Sequence, residues 1–267
     1  MRIYALAVYL FLYLPIGIIA LFSFSAGRSA SQMQGFSLQW YGKALGNPFV
    51  VDALKTSASV AFTSAVLASV FGTMAALALT GMRGRLRVLF DGMIYVAVMI
   101  PGIVIGIATL IALVTVFGAV NPWLEPLTGW KLSMGFGSLV GAHVLFTMSL
   151  VIILVRARIE GMDRALIEAS SDLGAGPIAT FRQVTLPMLA PAIFAGFLLS
   201  FTFSFDDFII AFFVAGPQTT LPIYIFSSIR RGVTPEINAI GTMVMAASLA
   251  VLIVAQLTLR RGKPDAH

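Results

Sequence analysis

The sequence predicts an all-α membrane protein with six transmembrane helices and both termini in the cytoplasm. Three observations carry that prediction. Of the 267 residues, 59% are hydrophobic and only 10% charged, against ~25% charged in a typical soluble domain. The charges gather between long uncharged stretches, each near the ~20 residues that span about 30 Å of hydrocarbon as a helix. The basic residues also divide unequally between alternate connections. Such stretches are read as helices because a helix satisfies its own backbone in lipid. A barrel would show alternating strands of about ten residues instead.

The first span is Ile3–Phe24. It follows a single Arg2 and has no small-residue cleavage site, so it reads as a retained helix and not a signal peptide. Residues 36–56 mix aromatic and polar side chains and suit a short interfacial helix. The second span is Ser57–Thr80 and the third Met93–Phe117, where Pro101-Gly102 predicts a kink. The fourth is Gly137–Val155, the fifth Met188–Phe213 and the sixth Ile237–Leu259. Before the sixth, Leu221, Tyr224, Ile225 and Ser228 recur at helical spacing. Thr234-Pro235-Glu236 then reads as an N-cap followed by proline at the first helical position. Gly102 with Gly106, and Gly137 with Gly141, have the spacing that lets helices approach closely. His143, within the fourth span, reads as an interhelical hydrogen-bonder before a proton relay. No short internal repeat stands out. The expectation is one domain over residues 1–267 with no separate soluble part.

Eleven of the 17 lysines and arginines fall on one side of this topology, including Arg83, Arg85, Arg87, Arg156, Arg158, Arg164 and Arg182. The other side holds Arg28, Lys43, Lys55, Lys131, Arg230 and Arg231. The positive-inside rule places the richer side, with both termini, in the cytoplasm.

Composition also excludes classes. There are no cysteines, so disulfides and thiolate metal sites are ruled out. Two histidines, His143 and His267, make a histidine-rich metal site implausible. The net charge of +6 flanks apolar segments and forms no single patch, so it speaks for topology and against nucleic acid. A phosphate-cradling loop needs Gly-Lys followed by Ser or Thr. Here Gly42-Lys43 precedes alanine and Gly262-Lys263 precedes proline. The chain is not expected to hydrolyse ATP.

The inner segment from Arg156 to Pro187 is the longest cytoplasmic connection and is not low-complexity. Asp163 suits an N-cap for a helix over Arg164–Leu173, and Gly174 a left-handed stop. Gly176-Pro177 opens a second helix, and Leu186-Pro187 leads into the fifth span. The segment EASSDLGAGPIATFRQVTLP resembles the cytoplasmic loop motif of bacterial ABC importer permeases: E-A-A, three residues, G, nine residues, I-x-L-P. Glu168, Ala169, Gly174, Leu186 and Pro187 match at those spacings. Ser170 stands in place of the second alanine and Val184 in place of the isoleucine. The resemblance implies a type I ABC importer transmembrane domain in which residues 156–187 dock on a separate ATPase. It implies two ATPase copies that bind ATP and Mg, no cofactor in this chain, a second related permease and a periplasmic solute-binding protein. It also implies a multi-pass place in the bacterial inner membrane.

In the second half, FSFDDFIIAFFVAGPQTTLPIYIFSSIRRGVTPEINAIGT is similar to the second permease of spermidine/putrescine importers. Asp206-Asp207, Gly216-Pro217, Leu221-Pro222 and the stretch from Arg230 to Ala239 carry the likeness, with PGIVIGIATL from Pro101 to Leu110. Asp206 lies about 27 Å of helix beyond Met188, in the outer part of the membrane or near its boundary. A carboxylate there needs water, a partner or a cation. Successive helical residues point about 100° apart, so the two aspartates should differ in role: one facing the path and an ammonium group, the other bonding a neighbouring helix or loop. Both serving as braces of an outer gate is the alternative. Phe205 and Phe208, among Phe201, Phe203, Phe212 and Phe213, could offer ring faces to a cation or face lipid. Arg230 and Arg231 read as contacts to the binding protein or to lipid headgroups. Another small organic solute, or an ATP-independent secondary transporter, stays open as an alternative function.

Overall fold

Prolines and glycines punctuate the chain where its helices end. The computed structural model describes residues 2–27, 32–163 and 165–261. Arg28, Arg164, Lys263 and His267 lie outside the described residues. Two compact units form, Met1–Lys55 with Leu221–His267, and Thr56–Thr220.

The first unit contains α1 (Arg2–Phe22), α2 (Gln39–Gly46), the start of α3 (Pro48–Gly81), α11 (Leu221–Ile229) and α12 (Pro235–Arg261). Helix α12 packs on α1 and α2. The indole of Trp40 donates to the Ser25 carbonyl at 2.8 Å, and the Ser23 and Tyr41 hydroxyls meet at 2.6 Å. Asn47, between α2 and α3, donates from Nδ2 to Glu236 Oε1 at 3.1 Å. Proline opens α12, as the sequence predicts.

The second unit contains the rest of α3, α4 (Arg85–Met99), α5 (Gly102–Thr128), α6 (Phe136–Glu160), α7 (Ala165–Asp172), α8 (Pro177–Thr180), α9 (Leu186–Asp206) and α10 (Ile209–Val214). Helix α6 packs against α4, α9 and α10, and α5 against α10. The apolar core gathers Ala68, Ala76, Leu79, Ile94, Val151, Ile152, Val155 and Leu189. Val151 on α6 fits between two glycines. A Cβ on Gly72 of α3 would stand 2.9 Å from it, and one on Gly196 of α9 would stand 3.3 Å away. A Cβ at Gly72 would force a shift, and one at Gly196 would press Val151 by a few tenths of an ångström.

Five helices among the described residues are long and apolar enough to cross a membrane: Tyr4–Phe22, Pro48–Gly81, Gly102–Thr128, Phe136–Glu160 and Pro177–Asp206. Helix α12 covers the predicted sixth span but is not one of the five. Three predicted boundaries change. The second span belongs to a helix that starts at Pro48. The third, Met93–Phe117, is not one kinked helix: it breaks between Met99 and Gly102. Pro101 supplies no N–H, and it drives Ile100 into extended backbone at ψ 134°. The fifth, Met188–Phe213, ends as a helix at Asp206, and α10 restarts at Ile209. The predicted glycine pairs also part. Gly106 is buried where a Cβ would meet Ile210 Cα of α10 at 3.3 Å, whereas Gly137 and Gly141 have nothing within 4 Å.

Candidate functional site

Two features carry chemistry that the apolar helices do not: the connection between α6 and α9, and the break between α9 and α10.

The connection is mostly helical. Asp163 Oδ1 accepts from Ala165 N–H at 2.9 Å and so caps α7. Gly174 then sits at φ +82°. Its N–H bonds the Ser171 carbonyl at 2.9 Å, and the Ala175 N–H bonds the Ser170 carbonyl at 3.1 Å. Those two bonds form a Schellman stop. Gly176 and Pro177 open α8 as expected. Ser170 has a further use: its hydroxyl meets that of buried Thr180 at 3.0 Å and ties α7 to α8. The second helix is not a separate element, however. From Pro177 the chain runs helically to Asp206, through a π turn at Phe181–Thr185. Val184 lies in that turn, and Leu186 N–H reaches back to the Phe181 carbonyl. Pro187 follows at once. It lacks an N–H and would crowd the carbonyl four residues earlier, so a wider turn ahead of it removes the conflict. Glu168 and Ala169 are exposed on α7.

The base of this hairpin is fastened to its neighbours. Arg156 pairs with Asp91 of α4, which also has Arg87 Nε at 3.7 Å. Arg158 Nε donates to the Met188 carbonyl of α9 at 3.0 Å. At the tip, Leu173 is 88% and Ile178 83% exposed.

At the break, Asp206 is the last residue of α9 and Asp207 takes extended backbone, ψ 121°. The two aspartates therefore do not share one continuous helix. Asp207 Oδ2 accepts from Ala211 N–H in the first turn of α10 at 2.8 Å. The same oxygen stands 3.4 Å from Nε2 of His143 on α6. His143 Nδ1 meets Ser204 Oγ at 2.6 Å, which makes it an interhelical hydrogen-bonder. Asp206 is exposed and, among the described residues, has no hydrogen-bond or ion-pair partner. Phe205 stacks on Phe201 at 5.9 Å, and Phe208 lies tilted against Phe212 at 5.5 Å. Arg230 and Arg231 are exposed just beyond α11.

Residues 68–261 match the family described as binding-protein-dependent transport system inner membrane component. The chain belongs to that family. Among its relatives, the spermidine/putrescine transport system permease protein PotC of Haemophilus influenzae is 37% identical over 96% of this chain and 94% of its own length. PotC of Escherichia coli strain K12 is 36% identical over 95% and 91%. The putrescine transport system permease protein PotI of the same strain is 36% identical over 95% and 88%. The fold is shared with a bacterial ABC transporter involved in the import of the acidic polysaccharide alginate: TM-score 0.75, 15% identity, 98% of this chain and 96% of that one. It is also shared with the MetNI methionine ABC transporter: TM-score 0.62, 15% identity, covering 80% and 96%. With that family match and five helices among the described residues long and apolar enough to cross a membrane, the chain is a multi-pass membrane protein.

Several contributors were not read from the sequence. Ser204, Asp91 and the π turn are among them. For the turn a signal existed, because Leu186-Pro187 puts a proline inside a helical stretch. For the other two, nothing local distinguishes the residue.

Proposed function

We propose that this chain is the permease subunit of an ATP-driven ABC importer and forms half of a path for polyamines such as spermidine or putrescine. The similarity to polyamine permeases over 95–96% of the chain supports the reading most strongly. In this reading residues 1–267 act as one permease domain with six spans and cytoplasmic termini, in the bacterial inner membrane. ATP and Mg belong to two copies of a separate ATPase, consistent with the lack of a phosphate loop in this chain. A second related permease completes the path, and a periplasmic binding protein delivers the solute.

The hairpin within residues 156–187 is the coupling element. Glu168, Ala169, Ser170 and Gly174 shape its first helix and stop, and Val184, Leu186 and Pro187 join it to α9. Two favourable features are the exposed apolar tip, which fits a docking surface, and the unbroken helix from Pro177 to Asp206. ATPase closure would tilt that helix and move the far end, where Asp206 sits. Asp206 meets an ammonium group of the solute, with Phe205 and Phe208 beside it. Arg230 and Arg231 meet the binding protein.

The test is uptake of radiolabelled spermidine and putrescine by proteoliposomes holding both permeases and the ATPase, with binding protein supplied outside. ATP-dependent accumulation is expected. Accumulation without the ATPase, or none of either polyamine with the complete complex, would overturn the reading.

A further inference from the structure

The break between α9 and α10 gives its two carboxylates different fates, and one buried side chain on α6 stands behind the difference. His143 is only 2% exposed. A buried imidazole in a spanning helix is costly unless its nitrogens are engaged. Here each ring nitrogen points to a different flank of the break. Nδ1 meets Ser204 Oγ, in the last turn of α9, at 2.6 Å. Nε2 stands 3.4 Å from Asp207 Oδ2, an ion-pair distance, and makes no hydrogen bond among the described residues.

A carboxylate oxygen accepts, so a hydrogen on Nε2 suits the side of the ring that faces Asp207. Nδ1 and the Ser204 hydroxyl then satisfy each other, the hydroxyl donating when the ring is neutral. Asp207 is thereby engaged through one oxygen: Oδ2 faces His143 and also accepts from Ala211 N–H, the third amide of α10. Ser204 and Asp207 bracket Asp206. A side chain that bonds one and stands against the other sets the direction in which the residue between them leaves the helix.

We propose, resting on the permease reading above, that His143 is the positioning residue for the break: by bonding Ser204 and standing against Asp207 it keeps the unpartnered carboxylate of Asp206 turned toward the transport path. It needs no contact with solute and holds whichever solute is carried.

The chain has no cysteine, so a single Asp206→Cys reporter reads the direction of that side chain directly. Its labelling rate by a charged thiol reagent would be measured in the assembled complex, with His143 intact and as His143→Leu, His143→Gln and Ser204→Ala. Uptake would be measured separately on the same His143 and Ser204 variants without the reporter, and on Asp207→Ala alone and combined with His143→Leu. His143→Leu is expected to change labelling by about tenfold and lower maximal uptake to a similar degree, the scale of one coupled contact. His143→Gln keeps a donor for Asp207 and should stay near the parent on both readouts, with Ser204→Ala in between. The combination with Asp207→Ala should be no worse than the poorer single variant. Native labelling in His143→Leu, equal damage from Gln and Leu, or additive loss in the combination would each overturn the assignment. If His143→Leu does not assemble, Ser204→Ala and His143→Gln still decide it. Loss of uptake in the unmodified complex would count against the polyamine reading, while the labelling arm would still judge His143.

Discussion

At the scale of single residues, adjacency in sequence says little about equivalence. Asp206 and Asp207 are neighbours with the same chemistry, yet one caps α10 and faces His143 while the other has no partner among the described residues. Opposite defects follow. Asp206→Asn should lower polyamine uptake about tenfold, as for one lost charge-assisted contact, and leave the melting temperature of the detergent-purified complex unchanged. Asp207→Ala should lower that temperature, since losing a helix cap costs about 1 kcal/mol. Matching melting temperatures for both variants would contradict the division. Gly174 is the other residue whose backbone decides its role. At φ +82° a side chain is strained, by roughly 1 kcal/mol, and nothing lies within 4 Å to clash with it. Gly174→Asp should therefore reach the membrane at normal abundance but fail to retain the ATPase in a pull-down. Normal retention with normal transport would remove the coupling role.

At the scale of elements, close approach and helix breaks do most of the shaping. The junction of α3, α6 and α9 depends on Val151 lying between Gly72 and Gly196. Gly72→Leu puts carbon against Val151 Cβ and the Met148 carbonyl, neither of which is a flexible chain end. Overpacking of this kind costs about 1–3 kcal/mol, so the melting temperature should fall by several degrees in a thermal-shift assay. Gly137→Leu, with open space around it, should leave it unchanged. The same spacing in sequence thus has different consequences. The breaks at Pro101 and Asp207 were legible only in part. Proline marked the first, although a kink was expected where the helix ends. At the second, the apolar run continues through α10 and masks the interruption.

At the scale of the whole molecule, the two units are built differently. In Met1–Lys55 with Leu221–His267, α12 packs on α1 and α2. In Thr56–Thr220, α6 is surrounded by α4, α9 and α10. The unequal basic residues predict sidedness. A fluorescent protein that matures only in the cytoplasm, fused after His267, should be bright. A periplasm-active phosphatase at the same place should be silent. The reverse result would invert the topology and place the hairpin on the wrong side for an ATPase.

What the sequence determined by itself was whatever is written in local order. Long apolar runs set the helical membrane class. Glycine and proline at fixed offsets set the capped hairpin from Asp163 to Pro187. Each depends on residues within a turn or two of one another. What only the tertiary structure decided was which groups are already satisfied. That His143 stands against Asp207 and bonds Ser204 could not be read locally, since it reaches Ser204 from 61 positions away. Whether a glycine is a contact or a gap turns on Val151 or Ile210 arriving from another helix. Helical periodicity says which residues share a face. It cannot say what that face meets, because pairing between helices joins parts of the chain that no local pattern connects.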